Sequence, residues 1–260
     1  MPFLDRFSAH AQQYAQARPH YPAALFQFIM QASPGHHWAW DCATGNGQAA
    51  VALAEQFARV SATDLSAAQL AHAMPHERVH YSVQPAEAVD LPSGALDLVT
   101  VAQALHWFDL PRFFAEVQRV LKPGGLFCAW GYSWAEITPA IDRVVEQAIR
   151  EPVIHDWAAQ NVLLWNGYPA LTAAVMPFQP LSLPTYTIEL AWNLYQYVAY
   201  LRTWSAVRIA IEREGAGFFE QATEALIAVW GSPETVRRVS MPLTMVAGYT
   251  NRWSDHVSSM

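Results

Sequence analysis

In the first half of the chain, short apolar runs alternate with stretches whose apolar positions recur at helical spacing. The runs predict strands at His37–Cys42, Arg59–Thr63, Val79–Val83, Leu96–Ala102 and Leu126–Tyr132. Between them the helical spacing predicts Gly47–Phe57, Ser66–Met74 and Pro111–Leu121. Two shorter helices, Leu4–Ala17 and Pro22–Gln31, precede the first strand. Pro123-Gly124-Gly125 cannot continue a helix and turns the chain into the fifth strand. Strand–helix alternation of this kind is the mark of an α/β, doubly wound, Rossmann-like parallel sheet.

The second half follows another pattern. Ile137–Arg150 has helical spacing, and from Trp157 to Ile188 there is no charged residue. Pro169, Pro177, Pro180 and Pro184 interrupt that stretch, which also carries Gln160, Asn161, Asn166 and Gln179. No membrane-crossing helix survives such punctuation, so a loop-rich apolar wall is expected and no membrane span. Leu181–Leu190 alternates as a strand, Asn193–Arg213 and Phe218–Trp230 are helical, and Arg238–Tyr249 returns as a strand. Two strands around a helical insertion suggest an antiparallel hairpin completing the sheet, with the insertion as a lid. The expected organisation is a helical cover over 1–34, a nucleoside-binding core over 35–135, a lid with returning strands over 136–250 and a tail over 251–260.

Composition narrows the classes. Of 260 residues, 53% are hydrophobic and 14% charged, with a net charge of −7, and Lys122 is the only lysine. An acidic, lysine-poor chain is a poor partner for phosphate backbones, so no nucleic-acid partner is expected. Its apolar content excludes a disordered chain. Met1-Pro2-Phe3-Leu4-Asp5-Arg6 places charges where a signal peptide needs an apolar core, and Cys42 and Cys128 lie in apolar runs. Both features predict a cytoplasmic protein, and a monomer or homodimer is expected. The histidines are scattered and neither cysteine has a C-x-x-C partner, so no metal site is expected.

Candidate chemistry begins at Trp40-Asp41-Cys42-Ala43-Thr44-Gly45-Asn46-Gly47, directly after the first strand and opening a helix. Glycines there let the backbone approach a ligand, and the helix start offers free N–H groups. Asp64, at the end of the second strand, is placed to accept hydrogen bonds from a ribose diol. Together they point to a nucleoside cofactor, either a dinucleotide or adenosylmethionine. Asp41 discriminates between them: its carboxylate would repel a pyrophosphate and attract an ammonium group.

Further motifs follow in order: Asp64-Leu65-Ser66, Pro85-Ala86-Glu87, Gln103-Ala104-Leu105-His106-Trp107-Phe108 and Leu121-Lys122-Pro123-Gly124-Gly125. With the Asp41–Gly47 loop, this set resembles the class I S-adenosylmethionine-dependent methyltransferases, the methyltransferase type 11 group and its trans-aconitate methyltransferase-like members. The resemblance covers roughly residues 35 to 132. Two less specific segments, Tyr14–Pro22 and Tyr200–Ser205, extend it toward the trans-aconitate-like subgroup. It implies a seven-stranded sheet with S-adenosyl-L-methionine as cofactor and S-adenosyl-L-homocysteine as product. Carried over residue by residue, Asp41 and the loop Ala43, Thr44, Gly45 and Gly47 would hold the methionine part. Asp64 would bind the ribose, Leu65 would pack on adenine, and Ala86 and Glu87 would meet its edge. Gln103, followed by Ala104, would sit beside the sulfonium. Tyr14, Arg18 and Tyr21 would close over the cofactor, with Arg18 pairing its carboxylate. Ala43 stands where the family commonly has a glycine; its methyl is tolerable if φ stays below zero, so binding is expected to survive.

Methyl transfer is an in-line displacement that needs alignment and exclusion of water. The expected substrate is a small organic molecule, acidic or aromatic, methylated at a carboxylate or hydroxyl oxygen. Carbon methylation of an apolar, quinone-like ring and a non-catalytic adenosylmethionine-binding module remain as alternatives. His106, after the fourth strand, is the candidate general base. Trp107, Trp134, Arg202 and Trp204 are the candidate substrate contacts, the arginine for an acidic group.

Overall fold

The structure, a computed structural model, describes residues 19–168, 171 and 176–251. The helix expected at Leu4–Ala17 lies outside them. The chain divides into two compact units. One comprises Tyr21–Ser133, Val162–Tyr186 and the chain from Leu243 onward, and the other includes Trp134–Asn161 and Thr187–Pro242.

The first unit is built on β1 (Trp38–Cys42), β2 (Arg59–Asp64), β3 (Val79–Val83), β4 (Leu96–Ala102) and β5 (Leu121–Tyr132), all parallel. β8 (Arg237–Tyr249) runs antiparallel to β5, from Leu126 opposite Tyr249 to Tyr132 opposite Leu243. Every residue of β4 from Leu96 to Val101 is buried, as a central strand covered on both faces requires. One face carries α1 (Ala23–Ala32) and α2 (Gln48–Ala54), whose Leu25, Ile29, Leu53 and Ala54 join Phe57, Val60 and Trp130 in one core. The other face packs against α4 (Leu110–Val120), which follows the short α3 (Ala67–Leu70). Asp109 caps α4 by accepting from the Arg112 N–H at 3.4 Å, and Phe113, Phe114, Val117 and Val120 line its buried stripe.

Among the described residues the sheet has eight strands, not the expected seven: with β6 (Gln179–Pro180) and β7 (Thr187–Trp192), the order is β3-β2-β1-β4-β5-β8-β6, and β7 pairs with β8. The additional strand is β6, opposite Tyr249 and Gly248. Phe178 stacks on Phe127 at 5.2 Å and meets Phe114 edge-on at 5.6 Å, which draws the next two residues alongside β8. Pro180 has no N–H to give, and the next residue, Leu181, still donates to the Ala247 carbonyl of β8 at 3.1 Å.

The second unit pairs β7 (Thr187–Trp192) with Arg237–Pro242 of β8, the antiparallel hairpin expected around the insertion. Its helices are α5 (Pro139–Val145), α7 (Leu194–Arg202), α8 (Ser205–Glu214) and α9 (Gly217–Trp230); α6 (Asn161–Trp165) lies mainly in the first unit. The helix expected at Ile137–Arg150 starts later because Thr138 caps it ahead of Pro139, and it finishes in a π-turn, Glu146–Arg150. The single helix expected at Asn193–Arg213 is two. Trp204 takes extended backbone, φ −61° and ψ 132°, and its buried indole meets the rings of Trp134, Trp157 and Tyr200. Among the described residues no helix is long and apolar enough to cross a membrane.

Candidate active site

The strand order reverses between β1 and β4: the chain builds outward from β1 to β3, then returns to the other side of β1. In open α/β sheets a ligand crevice forms beyond the carboxyl ends of the strands at such a reversal. Asp41 lies near that end of β1, opposite Ala62 of β2 and Thr100 of β4, and is completely buried. The Thr100 hydroxyl donates to its Oδ1 at 2.8 Å and the Thr44 hydroxyl to its Oδ2 at 2.5 Å. Burial raises the carboxyl to about 6, while the two hydroxyls pull it back and the Asp64 charge adds to the rise. The Ala50 N–H at the start of α2 also favours the ionised form, and among the described residues no cation is in contact with the carboxylate.

The loop after β1 runs through the left-handed region three times, at Ala43 (φ 54°), Gly45 (φ 57°) and Gly47 (φ 82°). Ala43 therefore departs from the negative φ on which its methyl was expected to be tolerable, at a cost of roughly 1 kcal/mol. At Gly47 a Cβ would also run into the phenol of Tyr81, whose hydroxyl donates to the Met74 carbonyl at 2.6 Å. The loop is stitched to the end of β2. The Thr44 N–H donates to the Thr63 carbonyl at 2.9 Å, and Asp64 accepts from the N–H groups of Gly45 at 2.9 Å and Ser66 at 2.8 Å. A carboxylate has about four acceptor positions, so Asp64 holds the loop and retains capacity for a ligand. Leu65, beside it, is 71% exposed, an isolated apolar side chain at a strand end. Ala86 is buried, and the Glu87 carboxylate accepts from the Asp109 N–H at 3.1 Å.

Beyond β4, Gln103 also has left-handed backbone, φ 60°. Its N–H donates to the Trp130 carbonyl at 2.8 Å. Its side-chain amide donates to the Tyr132 carbonyl at 3.1 Å and accepts from the Tyr132 N–H at 3.2 Å. Ala104 is buried and its carbonyl accepts from the Trp107 N–H at 2.9 Å. His106, in the 3-10 turn Leu105–Trp107, is buried, and its Nδ1 has no hydrogen-bond partner among the described residues. Burial lowers its imidazole to about 4, so it is neutral at physiological pH. Trp107 is half exposed, its ring 5.1 Å from that of His106.

A family profile for the methyltransferase domain matches residues 40–129. A solved structure of a protein assigned as a type II methyltransferase from Anaeromyxobacter dehalogenans is 40% identical with a TM-score of 0.83. That likeness covers 91% of this chain and 99% of the other. The chain belongs to the class I methyltransferases. A protein assigned as a methyltransferase in Dictyostelium discoideum is 29% identical over 251 residues, 94% of each chain. A third relative, assigned as an S-adenosylmethionine-dependent methyltransferase in Saccharomyces cerevisiae, is 32% identical over 136 residues. There the match covers 48% of this chain and 45% of the relative.

The methyltransferase thus brings Asp41, Ala43, Thr44, Gly45, Gly47, Asp64 and Leu65 together at the ends of β1 and β2, with Gln103 and Ala104 at the end of β4. Tyr14 and Arg18 lie outside the described residues. Tyr21 packs edge-on against Trp130 at 5.6 Å. The other candidate substrate contacts belong to the helical unit. Trp204 is buried, 5.3 Å from the Trp134 ring, and Arg202 is exposed, its guanidinium 6.0 Å from the Phe219 ring. The face of Trp134 carries the Arg150 guanidinium at 3.8 Å.

Three residues escaped the sequence reading. Thr100 was detectable as a hydroxyl inside an otherwise apolar strand, and Arg150 as the partner of Glu146 one helical turn earlier. Nothing in the sequence marked Tyr81 as the wall of the glycine loop.

Proposed function

We propose that this methyltransferase transfers a methyl group to a carboxylate oxygen of a small organic acid, with S-adenosylmethionine held over the carboxyl ends of β1 and β4. The observation that carries the cofactor assignment is Asp41. A fully buried carboxylate held by the Thr44 and Thr100 hydroxyls and the Ala50 N–H, with no cation beside it among the described residues, suits the ammonium group of a methionine moiety. The fit extends along the same edge: the residual acceptor positions of Asp64 suit ribose hydroxyls, and exposed Leu65 suits the face of a purine.

When bound, this cofactor supplies a methyl group on a positively charged sulfur. The chain's own residues bind and orient. Asp41 neutralises the ammonium group, the Ala43–Gly47 loop brings backbone close to the ligand, and Asp64 fixes the ribose. Displacement at a methyl carbon then depends on alignment more than on acid–base assistance. His106 supports a carboxylate acceptor over a phenol or carbon acid: an imidazole lowered to about 4 is a feeble base, and a carboxylate arrives already ionised. His106 and half-exposed Trp107 serve in this reading as the wall beside the acceptor.

Calorimetry against S-adenosylmethionine, S-adenosylhomocysteine and NAD tests the cofactor. Binding of both adenosyl ligands, and not NAD, is expected. Radiolabelled methyl donor with a panel of carboxylic acids, phenols and quinols then tests the acceptor. Turnover of phenols or quinols with every acid inert would overturn the carboxylate reading.

A further inference from the structure

Gln103 stood among the cofactor-contacting residues, yet its side chain is already committed. Both ends of the amide bind the backbone of Tyr132: Nε2 donates to its carbonyl at 3.1 Å, and Oε1 accepts from its N–H at 3.2 Å. The Gln103 N–H adds a third bond to the Trp130 carbonyl at 2.8 Å. The side chain thereby continues the ladder between β4 and β5 one step past the last paired residues, Ala102 and Trp130. The space is reserved for it: a Cβ at Gly131 would stand 2.6 Å from Gln103 Oε1 and 2.7 Å from Leu164 Cδ1. A non-glycine residue held at φ 60° is in the left-handed region that side chains disfavour. Such an outlier persists where its surroundings over-determine it, and here the three bonds to β5 do so.

We propose that Gln103 is a positioning residue: its amide straps the carboxyl end of β4 to that of β5 and so fixes the rim that receives the cofactor, without itself touching the sulfonium. The inference rests on the proposed cofactor site. It replaces a ligand contact by an internal strap, and the two roles respond oppositely to charge. A carboxylate introduced at a sulfonium contact would attract the cationic donor selectively. A carboxylate introduced into the strap would face the Tyr132 carbonyl, lone pair against lone pair, and break it. A protonated carboxyl offers the same donor and acceptor as the amide and restores it.

The test is Gln103→Glu in the full-length protein, with thermal unfolding and calorimetry against S-adenosylmethionine and S-adenosylhomocysteine at about pH 8 and about pH 5. Titratable groups on the surrounding elements are Asp41 on β1, His106 after β4, Tyr132 on β5 and Tyr168 after α6. Comparison with wild type at each pH removes their contribution. At the higher pH the variant is expected to melt lower and to bind both ligands about tenfold more weakly, as for two lost hydrogen bonds. At the lower pH, closer to the ordinary carboxyl value of about 4.3, it should recover part of both losses relative to wild type. A purely structural amide would lower the melting temperature and leave affinity, measured well below it, unmoved; that result overturns the proposal. So does tighter binding of S-adenosylmethionine with S-adenosylhomocysteine unchanged, or a variant like wild type at both pH values. If Gln103→Glu does not fold, Gln103→Met keeps the volume, and equal weakening of both ligands is the expected result; unchanged affinity overturns it. If wild type binds neither ligand, the cofactor site itself fails, and the positioning role falls with it, whatever the melting curves show.

Discussion

Thr100 on β4 donates its hydroxyl to Asp41 on β1 across 2.8 Å, and neither residue has any accessible surface. A hydroxyl shares an anion's charge without neutralising it, so the carboxylate remains costly to the fold.

That cost has a sign that can be measured. Burial raises the Asp41 carboxyl from 3.8 to about 6, so between those values the folded chain holds a proton that the unfolded chain has lost. Stability therefore falls as pH rises through about 6 and stays lower above it. Asp41→Asn is expected to stabilise the protein at neutral pH and above by on the order of 2 kcal/mol. The same change removes the counter-charge for an ammonium group, so affinity for S-adenosylmethionine should fall by about tenfold or more. Denaturant unfolding and calorimetry on the one variant check both; lower stability with unchanged affinity would contradict the assignment.

Ala43 offers the converse experiment. Its φ of 54° suits glycine, so Ala43→Gly relieves left-handed strain that the surrounding loop imposes. The gain is expected to be about 1 kcal/mol, less the greater freedom that glycine has when unfolded. Affinity for S-adenosylmethionine should be retained, because the loop's bonds to β2 run through the N–H groups of Thr44 and Gly45. A marked loss of affinity would mean that the alanine methyl itself touches the ligand.

His106 makes a prediction about pH. Its imidazole is lowered from 6.5 to about 4, so the folded chain resists a proton that the unfolded chain accepts. Its contribution is fully present above 6.5 and is lost as pH falls toward 4. Turnover should accordingly show no histidine ionisation near neutrality, and His106→Gln should alter the rate without changing the shape of the pH profile. A limb near 6.5 that vanishes in the variant would restore His106 as a titrating base.

Periodicity carried the sheet well: Val79–Val83 and Leu96–Ala102 are strands over the residues their apolar runs predict. It could not show that β5 begins early, since Leu121 pairs with Leu96 before a bulge and the ladder resumes at Leu126 opposite Leu98. At the site, residue type revealed which positions meet at the strand ends but not what each does there. An alanine is compatible with either sign of φ, so only the fold reveals Ala43 as strained. A glutamine reaches equally to a ligand or to a neighbouring peptide, and the choice at Gln103 depends on β5, which is distant in sequence. The indole of Trp204 had the same ambiguity between ligand and core, and core packing claims it. Local pattern fixes direction along a strand, whereas these outcomes depend on contacts between elements.

The chain's only lysine marks the opposite end of the sheet. Lys122 places Nζ 2.6 Å from Oδ1 of Asp97, whose Oδ2 accepts from the N–H groups of His37 at 2.9 Å and Trp38 at 3.1 Å. Burial works against ionisation of Asp97, but the Lys122 hydrogen bond and the two N–H donors outweigh it and hold the carboxyl below 3.8. Stability from this group is present above 3.8 and is lost as pH falls below it. The two partners should not weigh equally. Asp97→Ala abandons two backbone N–H groups as well as the lysine and is expected to cost about 3 kcal/mol. The Lys122 side chain is 36% exposed, so Lys122→Met should cost about 1 kcal/mol or less. Because no other lysine is present, acetylating the intact protein alters one side-chain amine and should reproduce the Lys122→Met loss in denaturant unfolding, apart from any effect at the N-terminus. Equal losses for Asp97→Ala and Lys122→Met would instead place the energy in the ion pair and not in the backbone donors it accompanies.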